Sequence, residues 1–168
     1  MTLLSRNATA LAAGLYLALS GMSFAAQVST VNVTLWDKGP DSATPNDAMP
    51  MGMGSPGANM AMAPLGLKLN ATSVRAGKVT FAATNASKDI VHEMILSPLP
   101  ADGKPLPYLA ADYKVNEEAA GYLGEVSELD PGKSGALTVD LKPGKYIVYC
   151  NIPAHFMNGM WTIVTVTK

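Results

Sequence analysis

Apolar and polar positions alternate in short runs along most of the chain. Val31, Val33 and Leu35 alternate with polar partners and predict a first strand. The pattern resumes at Leu65 with LGLKL, then with KVTFAATN over 78–85, where Val79 and Phe81 share a face. Arg75-Ala76-Gly77 reads as the turn leading into that strand. IVHEMIL over 90–96 places His92 at or beside a strand. GEVSEL, the Asp130-Pro131-Gly132 turn, ALTVDL, the Pro143-Gly144 turn, KYIVYC and MWTIVTVTK complete the series. Within KYIVYC, Tyr146, Val148 and Cys150 point the same way, so the thiol sits at the core-facing end of a strand. VNEEAAGYL over 115–123 predicts one short helix, and the proline-broken stretch from Pro98 to Tyr108 predicts a loop. Many short strands with frequent turns predict an all-β fold, an antiparallel Greek-key β-sandwich.

Two segments break this pattern. Residues 37–64 lose all periodicity and fill with Pro, Gly, Ala, Asn and Met, which predicts a flexible Met-rich arm. At the N-terminus, Arg6 precedes an apolar stretch from Ala10 to Leu19, and Ser23-Phe24-Ala25 supplies small residues for cleavage after Ala25 or Ala26. That stretch is shorter than the roughly 20 residues a membrane span needs. It predicts export to the periplasm, with no membrane span after signal cleavage, and no cysteine stands at the cleavage point to carry a lipid. The organisation expected is a signal peptide over 1–26, a first strand plus arm over 27–64 and a folded domain over 65–168.

Composition narrows the chemistry. The chain has 168 residues, enough for a core without disulfides. Loss of the leader removes Arg6 and no acid from 12 basic and 13 acidic residues, leaving a slightly acidic chain. That balance argues against nucleic acid as a partner, since phosphate binding needs a basic surface. The single cysteine cannot form an internal disulfide in an oxidising compartment. Cys150, His155 and Met160 stand in one run, YCNIPAHFMNGMWTIV, with four residues between successive members, and His92 is the second of only two histidines. A thiolate and two imidazoles with a weak axial thioether form a type 1 copper site, and this softness disfavours zinc. Pro153 removes a donor near the thiolate, and Gly159 permits a tight bend before Met160. Met157, two residues after His155, is expected to point away from the metal, and Met94 into the core.

The segment GKYIVYCNIPAHFMNGM resembles the cupredoxin, or small blue copper protein, signature, and its two four-residue gaps resemble the rusticyanin and sulfocyanin branch. AGKVTFAATNASKDIVHEMIL resembles the family's first-histidine region, and with GEVSELDPGKSGALTVDLKPG the likeness covers roughly residues 65–168. The resemblance implies equatorial ligands at His92, Cys150 and His155, an axial Met160, and a hydrogen bond from the Glu93 amide to the thiolate. It also implies that redox protein partners dock near His155, over an apolar rim of Pro153, Ala154 and Phe156. Trp161-Thr162 departs from the family, where a small residue commonly follows the methionine.

Two functions compete: a periplasmic carrier of single electrons cycling between Cu(I) and Cu(II), and a copper-tolerance protein that binds or buffers Cu(I) with help from the arm. Met49, Met51, Met53, Met60 and Met62 are either exposed by default or a set of Cu(I) donors. Glu117, Glu118, Glu125, Glu128 and Asp130 read as a docking face or as plain solvated charge. No enzyme activity is expected, because catalytic copper needs histidines beyond the two the site consumes.

Overall fold

The computed structural model describes residues 29–168. The signal-peptide segment proposed over 1–26 lies outside the described residues. Among those described, no helix is long and apolar enough to cross a membrane.

Two sheets form a sandwich. The first has the order β2-β1-β4-β9, from β1 (Ser29–Asp37), β2 (Leu65–Leu69), β4 (Gly77–Asn85) and β9 (Ser134–Leu141). The second runs β3-β11-β10-β5-β8, from β3 (Ser73–Arg75), β5 (His92–Pro98), β8 (Gly124–Leu129), β10 (Gly144–Tyr149) and β11 (Trp161–Thr167). The all-β expectation holds. Two pairings, β1 with β4 and β3 with β11, are parallel, so the sheets are mixed. Because β1 lies between β2 and β4, residues 29–37 belong to the same sheet as strands drawn from 65–168.

Alternation explains the main core. Val31, Val33 and Leu35 of β1 and Val79, Phe81 and Ala83 of β4 face Met94 and Leu96 of β5 and Tyr146, Val148 and Cys150 of the β10 edge. The outer face of the second sheet is also covered. Ile95, Ile147 and Tyr149 pack with Phe156, Leu106, Val115 and Met53 in a second core. Burying a side chain of this size contributes about 1.5–3 kcal/mol. Phe156 therefore fastens the loop after β10 to the sheet it leaves.

Two local expectations fail. Residues 114–115 form a strand (β7, Lys114–Val115) paired with β6 (Tyr108–Leu109), and no helix follows. Val115 is held by the Asn151 side chain, which accepts from its amide at 2.6 Å and donates to its carbonyl at 3.0 Å. Beyond it the backbone bonds Ala120 to Asn116, Tyr122 to Glu117 and Gly121 to Glu118, spacings that never repeat as a helix requires. The Met-rich arm is packed, not loose. The Met51 amide donates to the Met157 carbonyl, and the Asn158 side chain donates to the carbonyls of Ser42 and Thr44, both at 2.8 Å. Trp161 Nε1 donates to the Met51 carbonyl at 2.8 Å, which gives the unusual Trp161 a role in holding the arm.

Candidate metal centre

β10 delivers Cys150 to the sandwich interior, and the following chain folds into a run of turns that ends at β11. His155 N bonds Ile152 O, Asn158 N bonds Ala154 O, Gly159 N bonds Phe156 O and Met160 N bonds His155 O. Cys150 N closes the loop on Met160 O at 3.0 Å. Gly159 has φ 101°, and a Cβ there would come within 2.9 Å of Ala63 Cβ, so both backbone geometry and the packed arm require glycine.

β5 delivers His92 from the opposite side. Its pairing with β8 shifts register between His92 and Met94, a bulge-like irregularity of the kind that re-aims side chains near functional sites. At that irregularity the Glu93 amide donates to Cys150 Sγ at 3.4 Å. This is the hydrogen bond the family resemblance implied.

His92, Cys150 and His155 are fully buried, and their donor atoms all lie within 4.8 Å of one another. His155 Nδ1 is 3.3 Å from Cys150 Sγ and 3.3 Å from His92 Nδ1. Bonds of about 2.0–2.3 Å to a central ion place trigonal N and S donors about 3.5–3.8 Å apart, close to this spacing. The set fits a type 1 copper ion in donor chemistry as well as in size.

Electrostatics prepare the same donors. Burial lowers both imidazoles: it pushes His155 down to about 4, with the neighbouring His92 adding to it, and lowers His92 against the opposing pull of Asp37. Both rings are therefore neutral at pH 7 and offer lone pairs. Burial pushes the Cys150 thiol up to about 12, against hydrogen bonds from the Glu93 and Ile152 backbone. A cation at this point would displace that proton, coupling binding to proton release.

Asp37, at the end of β1, carries a role that sequence reasoning missed. Its Oδ2 lies 2.9 Å from His92 Nε2, and its side chain is 4% exposed. Burial would raise its carboxyl, but hydrogen bonds from Ser87, His92 and the Gly39 amide outweigh burial and hold it below the ordinary range. An ionised Asp37 fixes the proton on Nε2 and turns the Nδ1 lone pair towards Cys150 and His155, as carboxylate–histidine pairs do behind metal ligands. Only proximity in the fold reveals it, since 55 residues separate the pair. Glu93 and Asn151 were also missed as side chains: Glu93 Oε1 accepts from the Asn151 amide at 3.0 Å, bracing the residue after the cysteine.

Met160 is fully buried in the main core with Cys150, whereas Met157 packs in the second core, against the arm at Gly52. The expected docking rim differs from the structure. His155, Ala154 and Phe156 are buried and only Pro153 is exposed; Gly52 and Met53 of the arm pack at Phe156, and the Ala154 amide donates to the Tyr113 carbonyl. His155 Nε2 is buried without a hydrogen-bond partner among the described residues.

No protein-family model and no curated protein sequence matches the chain. Solved structures do. Rusticyanin from Thiobacillus ferrooxidans is similar with a TM-score of 0.51 and 18% identity, over 85% of this chain and 79% of that one. Auracyanin A, a "blue" copper protein from Chloroflexus aurantiacus, is similar with a TM-score of 0.51 and 17% identity, over 84% of this chain and all of that one. Auracyanin B gives a TM-score of 0.51 and 21% identity over 83% and 89%. At these identities the likeness establishes the fold.

Proposed function

We propose that this chain, which has the cupredoxin fold, is an exported type 1 copper protein that carries single electrons. The observation that carries the reading is the buried triad of His92, Cys150 and His155, three neutral or ionisable soft-to-borderline donors gathered within 4.8 Å of one another in the interior. Met160 is the axial donor in this proposal, supported by its burial beside Cys150 and its backbone bonds to both Cys150 and His155. Copper bound there supplies one-electron cycling between Cu(I) and Cu(II).

The protein's part is to hold the donors still. Asp37 orients His92, the Glu93 amide partly satisfies the thiolate, and Asn151 locks the loop after Cys150 to residues 115–117. Ligands drawn from β5, β10 and the loop cannot rearrange without disturbing both cores. A site that changes little between oxidation states suits electron transfer without substrate binding. Redox partners approach near His155 over the exposed Pro153, since His155 itself is buried. Residues 1–26 act as a leader directing the chain to the periplasm, and the N-terminus of the exported protein, read by mass spectrometry, tests this.

The functional test is copper titration followed by cycling with one-electron mediators. One equivalent of Cu(II) should produce an intense visible thiolate band that bleaches and returns reversibly. A band that fails to recover after one reduction and reoxidation sinks the carrier reading.

A further inference from the structure

The five arm methionines have different surroundings. Met53 is buried in the second core with Phe156, and Met60 turns towards Gly159. Met49, Met51 and Met62 instead line a single cavity of about 220 Å³, completed by Pro50, Pro56 and Asn59 among others. No residue lining it is charged, and none carries an imidazole, a carboxylate or a thiol. Met49 and Met62 are 56% and 59% exposed. Two long apolar side chains are thus left in water around a concavity, although burial of such a side chain is favourable.

The backbone that carries them is fixed. Met51 is clamped on both sides, its amide on the Met157 carbonyl at 2.6 Å and its carbonyl on Trp161 Nε1 at 2.8 Å. Met62 closes a short 3-10 turn (Met60–Met62) capped by Asn59, whose Oδ1 accepts from the Ala61 amide at 3.2 Å. The Met49 amide is held by Asn46 Oδ1 at 3.2 Å. Three methionines from two hydrogen-bonded segments therefore line one space.

We infer that this cavity is a second metal site, taking copper(I) through the sulfurs of Met49, Met51 and Met62. Thioethers are soft, neutral donors and select copper(I), while copper(II), zinc and magnesium need the imidazole, thiolate or carboxylate that the cavity lacks. The site is separate from the buried triad and stands whether or not the triad binds copper. Its position matters all the same, because Met51 is bonded directly to the loop that bears His155. Copper(I) taken from solution is held at the outer wall of that loop.

The test uses the full exported chain under anaerobic conditions. Copper(I) is titrated against a chromophoric copper(I) chelator, and silver(I), a redox-inert ion of the same ligand preference, is titrated in parallel. Methyl signals of labelled methionines are followed by NMR. The wild-type chain should take up one equivalent more of either ion than the M49L/M51L/M62L variant, with methyl shifts at 49, 51 and 62 but not at 53 or 60. M49L and M62L alter exposed side chains and leave the packing intact, so each alone should weaken the extra site at least tenfold even if the triple variant misfolds. The extra equivalent should persist in Cys150→Ser, which separates this site from the triad. Equal uptake by wild type and the leucine variants, or shifts confined to Met53 and Met60, overturns the inference.

Discussion

Replacing Asp37 with Asn removes one negative charge from behind His92 while keeping an oxygen that can accept from Nε2. The 2.9 Å hydrogen bond, added to the width of the ring and a metal–nitrogen bond, puts the carboxylate about 7 Å from an ion held by Nδ1. At an effective dielectric of about 20, a unit charge at that distance favours each additional positive charge by about 2.4 kcal/mol. In bulk water the same term falls to about 0.6 kcal/mol. For a one-electron couple these limits correspond to roughly 100 and 25 mV. The Asp37 side chain is only 4% exposed but borders an open cleft with Lys38, Gly39 and Ser87, so the true value lies between them. Loss of the charge destabilises the oxidised site, and the reduction potential of D37N should rise by about 25–100 mV. Protein-film voltammetry measures it, with the visible band confirming an intact site. An unchanged or lowered potential in a variant that keeps the band would refute the role given to Asp37.

Other perturbations reach different parts of the account. Burial raises Glu93 to about 7 from an ordinary 4.5, so between these values the folded metal-free chain binds more protons than the unfolded one. Its stability should fall as pH rises through that window, and Glu93→Gln should flatten the fall in thermal unfolding curves. Gly159→Ala forces a side chain into φ 101° and against Ala63, and should cost about 1–3 kcal/mol by denaturant unfolding. Met160→Leu should retain the visible band but shift the potential, because the axial donor tunes a site whose thiolate and imidazoles define it. Loss of the band in Met160→Leu, with the fold intact by circular dichroism, would contradict the weak axial role.

The strands that place the site were legible because each faces one core. Val31, Val33 and Leu35, and likewise Tyr146, Val148 and Cys150, alternate as half-buried strands must. The second core was not legible, since alternation along β10 cannot say what covers Ile147 and Tyr149 on the other face. The arm was misread for a related reason. Its order comes from backbone carbonyls and amides meeting Asn158, Met157 and Trp161, and such bonds leave no periodic trace in side chains. The cluster of His92, Cys150 and His155 was legible because scarce residues of the right chemistry stood at loop spacing. Asp37 was not, because an aspartate ending a strand carries no mark of the histidine it meets across the sandwich.

The central claim is that one sulfur and two ring nitrogens share an ion. X-ray absorption at the copper edge of the Cu(II)-loaded chain tests it most directly. One short copper–sulfur bond and two copper–nitrogen bonds, with the sulfur contribution lost in Cys150→Ser, is the result expected. A first shell of nitrogen and oxygen alone in the wild-type chain would contradict it.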